Sequence, residues 1–379
     1  MKETFYEYVQ RRGVSRKDFL KFCTAITAIM GLEASFAPQV VKALETQPRI
    51  PVIYKHFQEC TGCSESFIRT AHPVVADLIL DMISLDYHDT LMAASGEQAR
   101  EAAHKTKEEH KGNYILAIEG SIPVADGGIY SMVNGQTHLE LFREYEKDCM
   151  AIIAYGSCAA FGNVQAAGHN PTGATPIYKL TDKPVINVPG CPPIAEVMAG
   201  VITHILTFGN LPELDIRKRP KAFYRHRLHD NCQRRAYFDA GLFVENFDDE
   251  GAKLGWCLYK VGCKGPVTYN SCSVMKWNES TCWPVESGNP CIGCAEDNFW
   301  DFGPIFTTKA QIPGTNIIFN PDKIGAAVVG AAIAGVGVHT AATVVNEKII
   351  KKAKKDEAPA VNAAANHTGA DDQSKGVSN

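Results

Sequence analysis

The sequence predicts an α/β domain with a parallel sheet, followed by an irregular cysteine-rich domain and a C-terminal transmembrane helix. Three observations support this order. Short apolar runs alternate with longer helical segments between residues 50 and 215. Trp, Pro, Gly, Asn and Cys then become frequent, and helix or strand periodicity fades over residues 216–310. Residues 324–345 carry no formal charge and are numerous enough to cross the hydrocarbon core of a bilayer.

Composition narrows the class of protein. The 379 residues are 45% hydrophobic and 21% charged, which is typical of a globular protein with a sizeable core. The net charge of −4 gives no reason to expect nucleic acid as a partner. The 13 cysteines are too few for a disulfide scaffold, and a chain of this length does not need one. We therefore expect the cysteines to serve chemistry.

Residues 1–43 are predicted to be an export signal. Basic residues precede a short apolar stretch, Phe22–Leu32, which is too short to span a bilayer but suits the apolar part of a signal peptide. Ser15–Lys21 resembles the twin-arginine export signal, with Lys17 in place of the second arginine. An amphipathic N-terminal helix is the alternative. Cleavage after Ala43 would suit a peptidase that requires small residues.

The elements of the α/β domain follow in order between residues 50 and 215. Strands are predicted at Pro51–Tyr54, Ile83–Tyr87, Tyr114–Ile118, Ala151–Ala154 and Pro184–Val188. Helices are predicted at Pro73–Met82, Glu97–Lys111, Leu139–Asp148 and Ala195–Phe208. Short apolar strands that alternate with helices favour a parallel sheet covered on both faces.

Four cysteines follow strands of this sheet. Cys60 and Cys63 form a Cys-x2-Cys pair after the first strand. Cys158 follows the strand at residues 151–154, and Cys191 follows the last strand. The carboxyl ends of parallel strands meet at one edge, where open α/β sheets bind their ligands. The order therefore predicts a four-cysteine site at this edge, with nearby glycines that let the backbone approach a bulky cofactor.

The irregular domain supplies further thiols and an imidazole. They are His229, Cys232, Cys257, Cys263, Cys272, Cys291 and Cys294. Thiolates in such numbers select iron–sulfur clusters, zinc or copper(I) over hard cations. Metal–ligand bonds would also supply stability that a segment with weak periodicity lacks. Several clusters in one chain would indicate electron transfer.

Iron–sulfur clusters fit this pattern better than zinc or disulfides. The two Cys-x2-Cys pairs, which begin at Cys60 and Cys291, lie far apart, whereas zinc modules bring two pairs together in one short unit. A pair with two further cysteines on neighbouring loops is not typical of a disulfide framework. Spacing alone leaves His229 open, either as a ligand or as an ordinary surface or core histidine.

Residues 324–345 are predicted to be a transmembrane anchor. Small residues recur at every fourth position, which lets another membrane helix approach closely. A lysine cluster, Lys348–Lys355, follows at once, and the positive-inside rule places the polar tail, residues 346–379, in the cytoplasm. A buried core helix rich in Ala and Gly is the alternative.

Short motifs along nearly the whole chain resemble the small subunit of membrane-bound nickel–iron uptake hydrogenases. The matching segments are Glu59–Glu65, Gly120–Pro123, Gly156–Cys158, Pro189–Pro193, Gly255–Tyr259, Gly262–Pro266 and Pro290–Cys294. Such a set is very specific. The resemblance implies a flavodoxin-like domain at residues 50–215 that holds a proximal cluster, and a domain at residues 216–310 that holds a medial and a distal cluster.

The resemblance also implies the ligands and the type of each cluster. The proximal 4Fe-4S cluster would be held by Cys60, Cys63, Cys158 and Cys191. The distal 4Fe-4S cluster would be held by His229, Cys232, Cys257 and Cys263. The medial 3Fe-4S cluster would be held by Cys272, Cys291 and Cys294. We expect these residues to bind cofactors, and we expect no catalytic residue in this chain.

The function that the resemblance implies is electron transfer within a hydrogenase. The nickel–iron centre would lie in a separate large catalytic subunit, and electrons from H2 oxidation would pass through the three clusters. They would reach quinone through a membrane cytochrome b, or through a ferredoxin-like protein with an integral membrane subunit. The protein would lie on the periplasmic side of the inner membrane. A stand-alone multi-cluster electron carrier and a subunit of a related quinone-linked complex are the alternatives.

Two features of this sequence depart from patterns seen in the family that it resembles. Oxygen-tolerant members carry extra cysteines at positions that correspond to Gly62 and Asn163, so we expect a standard proximal cluster and ordinary oxygen sensitivity. Cys282 lies between the medial ligands and would make that cluster 4Fe-4S if it were a fourth ligand. We expect it to be a spare buried cysteine instead.

Overall fold

The computed structural model describes residues 4–30, 32–46, 50–70, 84–278, 280–301, 310–311, 318–319 and 321–356. Residues 1–319 belong to one compact unit and residues 320–379 to a second. In chain order the helices are α1 (Phe5–Arg11), α2 (Arg16–Ile29), α3 (Ala37–Thr46), α4 (Gly62–Ile68), α5 (Gly96–Glu109), α6 (His138–Glu146), α7 (Gly156–Phe161), α8 (Ala195–Phe208), α9 (Lys221–Tyr224), α10 (Arg235–Asp239), α11 (Glu250–Lys253), α12 (Cys272–Met275) and α13 (Pro321–Asp356).

Five parallel strands form the central sheet of the first unit, in the order β2-β1-β3-β4-β5. They are β1 (Pro51–His56), β2 (Ser84–His88), β3 (Ile115–Glu119), β4 (Ala151–Tyr155) and β5 (Val185–Val188). The predicted strands and their parallel pairing are confirmed, with ends that shift by one or two residues. The predicted helix at residues 73–82 lies outside the described residues.

Successive residues of β1 enter opposite cores. Val52 and Tyr54 belong to the core that contains α8, whereas Ile53 belongs to the core that contains residues of α5 and α6. All three are at most 2% exposed. Side chains that alternate between two buried faces make each strand read as a continuous apolar run, which is why the sequence predicts a sheet covered on both sides.

The N-terminal helices pack on the α8 side of the sheet. Phe19, Phe22 and Ile26 of α2 are at most 4% exposed and join the core that contains α8. The arginine of the predicted export motif, Arg16, pairs with Glu45 of α3. In the uncleaved chain this segment therefore forms helices with one buried apolar face. Its removal as a signal peptide stays a prediction.

The region between residues 216 and 301 has little regular structure, as the weak periodicity predicts. Its described residues form the short helices α9–α12 and single turns. The buried guanidinium of Arg234 ties three segments of this region together, because it donates to the carbonyl oxygens of Val285 at 2.9 Å and Trp256 at 2.6 Å. Such bonds satisfy buried backbone groups that a helix or sheet would otherwise pair.

The second unit contains the long helix α13. Within it, residues 327–352 are long and apolar enough to cross a membrane, by length and composition alone. The predicted anchor at residues 324–345 therefore falls on a continuous helix, which also carries the lysine cluster that follows. The predicted tail beyond residue 356 lies outside the described residues.

Candidate metal centres

The four cysteines predicted at the sheet edge lie together. Cys60 follows β1, Cys63 lies in the first turn of α4, Cys158 lies in α7 directly after β4, and Cys191 follows β5. The side-chain amide of Asn163 donates to the sulfurs of Cys158 at 3.1 Å and Cys191 at 3.6 Å. Two of the four thiols therefore share one donor, as expected if all face a common centre.

The electrostatics of this group favour a bound cation. Burial raises the pKa of the Cys63 thiol well above its ordinary value, and the charges of Glu119 and of the Cys158, Cys191 and Cys60 thiols raise it further. Crowded thiols of this kind ionise when a metal shares their charge. Cys60 and Cys191 are exposed, so the group opens to the surface on one side.

Glycines leave room beside these sulfurs. A Cβ atom on Gly156, which has a φ of +82°, would lie 2.3 Å from the Cys63 sulfur. A Cβ atom on Gly62 would lie 3.2 Å from the Cys60 sulfur. Contacts below 3.0 Å force a displacement, so a side chain at position 156 would occupy the space next to the thiol. The site suits a bulky inorganic group.

A second group lines a cavity in the irregular region. His229, Cys232, Cys257 and Cys263, the residues predicted for the distal cluster, all face this cavity, with Trp283 among its apolar walls. The sequence separates these residues by up to 34 positions, yet the fold brings them to the lining of one cavity. Soft donors around an apolar cavity fit an iron–sulfur cluster.

The surroundings of His229 favour the neutral imidazole, which is the protonation state that a metal ligand needs. Burial lowers the pKa of its imidazole, and the neighbouring charge of Arg235 lowers it further. The ring packs edge-on against Phe238, with 4.5 Å between the ring centroids. A neutral imidazole is the form that binds metals, so both its pKa and its place in the cavity agree with ligation.

In the third group Cys272 and Cys291 are buried and Cys294 is half-buried. Cys272 begins α12, and Cys291 and Cys294 lie in the later Cys-x2-Cys loop. Burial raises the pKa of Cys272 to about 12 and of Cys294 to about 11. Burial also raises the pKa of Cys291, which the charges of the Cys263, Cys294 and Cys272 thiols raise further. These three predicted medial ligands are therefore electrostatic neighbours.

Cys282 differs from the expectation of a buried spare thiol. It is only half-buried, because it closes a short turn in which its carbonyl oxygen accepts the backbone N–H of Trp277 at 2.8 Å. The prediction that it is buried is therefore wrong.

Direct contacts join the three groups in a row. The hydroxyl of Ser157 in α7 donates to the carbonyl oxygen of Cys294, and the backbone N–H of Cys191 lowers the pKa of the Cys294 thiol by a hydrogen bond. The backbone N–H of Cys291 donates to the Cys263 sulfur at 3.4 Å. The sheet-edge group therefore touches the buried group, which in turn touches the cavity group. Closely spaced redox centres in this order would let electrons pass from one to the next.

Sequence reasoning missed Glu119. Its carboxylate, at the end of β3, accepts the backbone N–H groups of Cys63 at 2.9 Å and Ser64 at 3.0 Å, and the Tyr54 hydroxyl at 3.2 Å. The residue is 1% exposed, so its charge lies buried beside the sheet-edge thiols. A single acidic residue that ends an apolar strand is the signal that could have found it.

Comparisons with known proteins agree with this geometry. A sequence model for the C-terminal part of the NiFe/NiFeSe hydrogenase small subunit matches residues 224–307. The uptake hydrogenase small subunit of Azotobacter vinelandii is 55% identical over 344 residues, which cover 90% of this chain and 96% of that protein. The chain belongs to the nickel–iron hydrogenase small-subunit family. It is accordingly the electron-transferring subunit of a hydrogenase heterodimer, which pairs with a large catalytic subunit.

Further comparisons extend the assignment to the small-subunit fold. The hydrogenase-1 small chain of Escherichia coli K12 is 49% identical over 347 residues, which cover 91% of this chain and 93% of that one. The solved NiFeSe hydrogenase of Dm. baculatum shares 36% identity with a TM-score of 0.63, and the alignment covers 69% of this chain and 100% of that chain. The predicted resemblance to the hydrogenase small subunit is confirmed.

The comparisons also separate the alternatives. A sequence model described as the NADH ubiquinone oxidoreductase 20 Kd subunit matches residues 60–205, which contain strands β2 to β5 of the sheet. This part of the chain alone would also fit a subunit of a related quinone-linked complex. The match over residues 224–307 and the near full-length relatives favour the hydrogenase small subunit over that alternative and over a stand-alone carrier. The small-subunit family carries iron–sulfur clusters, and the thiol groups of this chain fit them.

Proposed function

We propose that this hydrogenase small subunit binds three clusters through eleven side chains. Cys60, Cys63, Cys158 and Cys191 would hold a proximal 4Fe-4S cluster. His229, Cys232, Cys257 and Cys263 would hold a distal 4Fe-4S cluster. Cys272, Cys291 and Cys294 would hold a medial 3Fe-4S cluster. The observation that carries this proposal is the row of contacts from Cys191 to Cys294 and from Cys291 to Cys263.

The residues of this chain orient and tune the electron carriers. The clusters, when bound, supply one-electron redox chemistry. Asn163 and the backbone N–H groups of Arg234 and Cys291 donate to cysteine sulfurs, which stabilises the more negative, reduced state. Burial of Cys272 and Cys291 keeps water away from the middle of the path. The exposed Cys60 and Cys191 suit an interface with the catalytic subunit.

The proposed direction runs from H2 oxidation in the large subunit toward a membrane partner. Electrons would leave near the half-buried His229 and reach a cytochrome b, or a ferredoxin-like protein with an integral membrane subunit, and then quinone. With Gly62 and Asn163 in place of extra cysteines, the proximal cluster would be of the standard, oxygen-sensitive kind.

The proposed location is the periplasmic side of the inner membrane. The twin-arginine-type motif at Ser15–Lys21 supports export of the folded chain. The apolar helix over residues 327–352 and the lysines at its end support an anchor whose C-terminus is cytoplasmic. The uncleaved leader would fold against α8, and removal of residues 1–43 would leave the sheet domain near the new N-terminus.

Low-temperature EPR of the purified heterodimer under redox titration tests the ligand assignment. We expect a three-iron signal from the oxidised medial cluster and two four-iron signals on reduction, with an iron content to match. Only four-iron signals would make Cys282 a fourth medial ligand. A heterodimer without iron–sulfur signals would contradict the proposal.

A further inference from the structure

A buried histidine spans the loop that carries two of the proposed proximal ligands. His56 ends β1, and its side chain is 7% exposed. Its Nδ1 lies 3.1 Å from Glu59 Oε1, and its Nε2 lies 3.2 Å from Ser64 Oγ. Glu59 immediately precedes Cys60, and Ser64 immediately follows Cys63. One imidazole therefore connects the two residues that flank the Cys-x2-Cys loop.

Hydrogen-bond counting at Ser64 assigns the protons around this ring. The Ser64 hydroxyl has one proton, and its closest acceptor is Glu119 Oε2 at 2.8 Å. His88 Nδ1 accepts the backbone N–H groups of Thr90 and Leu91, each at 3.2 Å, so the proton of a neutral His88 lies on Nε2. That Nε2–H donates to Ser64 Oγ at 3.2 Å. Ser64 Oγ then has one lone pair left, which faces His56.

The remaining contacts are all satisfied when His56 donates at both nitrogens. Nδ1–H donates to Glu59, and Nε2–H donates to Ser64, whose own proton is already given to Glu119. An imidazole protonated at both nitrogens is a cation. Burial lowers the pKa of His56, but the hydrogen bond to Glu59 and the charges of Glu119 and Asp89 raise it, and the net shift is upward.

An imidazolium at His56 offsets part of the negative charge of the two carboxylates beside it. A ring nitrogen of His56 and one carboxylate oxygen each from Glu59 and Glu119 all lie within 4.8 Å of one another, so two carboxylates surround one imidazole. A divalent cation among the same atoms is the rival interpretation. Both Glu119 oxygens, however, already accept N–H groups of α4, from Cys63 and Ser64. An imidazolium satisfies the remaining donors and acceptors without displacing these bonds.

We propose that His56 is a positioning residue that clamps the Cys60–Cys63 loop and places a positive charge beside the cluster these cysteines hold. The inference rests on the proposed proximal ligand set. A nearby cation stabilises the reduced, more negative cluster and so raises its reduction potential. The clamp also fixes both ends of the loop, because Glu59 and Ser64 cannot move apart without breaking a hydrogen bond to the same ring.

The test compares His56→Gln with wild type in the assembled heterodimer, by EPR-monitored redox titration. Loss of the cation should shift the proximal midpoint potential to a more negative value and leave the medial and distal potentials unchanged. His138→Gln is the matched control. His138 is also buried, its Nδ1 contacts Ser131 Oγ at 2.6 Å, and its ring packs on Phe57, in the other core of the sheet. This control should leave the proximal potential unchanged.

Glu59→Gln gives the opposite sign and does not depend on the His56 variant folding. It removes the negative charge that faces His56 and should shift the proximal potential upward. A charge effect predicts proximal potentials that shift in opposite directions in His56→Gln and Glu59→Gln. A loosened loop would instead shift the proximal potential in the same direction in both variants. Shifts of the same sign, or none with the cluster present, would overturn the inference. Absence of the proximal cluster from wild type would instead contradict the proposed ligand set.

Discussion

Single residues at the sheet edge determine whether a cluster fits and at what potential it works. Asn163 stands in a left-handed conformation, with a φ of +52°, and this turn aims its amide at two sulfurs. Gly156 leaves the space that the same group of sulfurs needs. Asn163 therefore supplies a hydrogen-bond donor and Gly156 leaves space for the cluster. Substitution of the first should change the reduction potential, whereas substitution of the second should prevent cluster binding.

Asn163→Ala should lower the proximal potential without removing the cluster. The substitution deletes the N–H donor to Cys158 and Cys191, and hydrogen bonds to sulfur favour the reduced state. A bond worth about 1 kcal/mol corresponds to a shift of up to roughly 40 mV for one electron. EPR-monitored redox titration measures the shift. Asn170→Ala is the control. It removes a side-chain amide that donates to the carbonyl oxygen of Ala174, and it should leave the proximal potential unchanged.

Gly156→Ala should prevent proximal cluster binding. The new Cβ would lie 2.3 Å from the Cys63 sulfur. Gly168→Ala is the matched control, because Gly168 also has a positive φ of 60° but has no atom within 4 Å of a Cβ. The control should cost about 1 kcal/mol of backbone strain and keep full iron. Iron analysis of both purified heterodimers decides; equal iron content in the two variants would contradict the steric argument.

At the scale of elements, a buried ion pair joins the sheet domain to the medial loop. Arg219 is 2% exposed and lies after α8, at the start of the irregular region. Its guanidinium contacts Asp215 at 2.8 Å and Glu296 at 3.0 Å, and Glu296 lies two residues after Cys294. A buried pair that loses one partner leaves an uncompensated charge, which makes the pair sensitive to substitution.

Arg219→Met should destabilise this junction by about 3–5 kcal/mol. The expected result is release of the medial cluster at a lower denaturant concentration than in wild type, followed by the loss of its EPR signal. Arg217→Met is the control, since Arg217 contacts the same Glu296 at 3.3 Å but is 43% exposed. Exposed pairs contribute about 0–1 kcal/mol, so the control should unfold close to wild type. Equal effects of both substitutions would contradict a role for burial.

The length and apolar composition of the helix α13 indicate that it holds the protein at a membrane. A chain that ends at residue 323 lacks the candidate span over residues 327–352 but keeps all proposed cluster ligands. We expect the truncated heterodimer in the soluble fraction, with wild-type hydrogen-dependent reduction of an artificial dye and no reduction of quinone. Fractionation followed by immunoblotting measures this. A truncated chain that still pellets with washed membranes would contradict the anchor.

For the molecule as a whole, the sequence predicted the grouping of the candidate ligands better than it predicted their surroundings. Apolar runs and Cys-x2-Cys spacing act over a few residues, so the strands and the sheet-edge position of Cys60 and Cys158 follow directly from them. The proton arrangement around His56 depends on residues from β1, β3 and α4 meeting in space. Nothing in the local pattern indicates that meeting, so the sequence could not predict it.

The N-terminal segment shows the other limit of sequence patterns. An apolar stretch beside basic residues indicates an export signal whether or not it also packs on the folded chain. The burial of Phe22 against the core that contains α8 depends on a helix more than 170 positions away. The half-buried position of Cys282 likewise depends on its turn with Trp277, which spacing alone does not reveal.

We propose that electrons cross this chain through its medial group to the distal group. Cys291→Ala in the assembled heterodimer removes a proposed medial ligand, whose backbone N–H contacts the Cys263 sulfur. Hydrogen–deuterium exchange reports on the large subunit, whereas dye reduction by H2 requires the path through this chain. We predict that exchange continues at close to the wild-type rate while dye reduction falls at least tenfold, with no medial EPR signal. Dye reduction at the wild-type rate without a medial cluster would contradict this electron path.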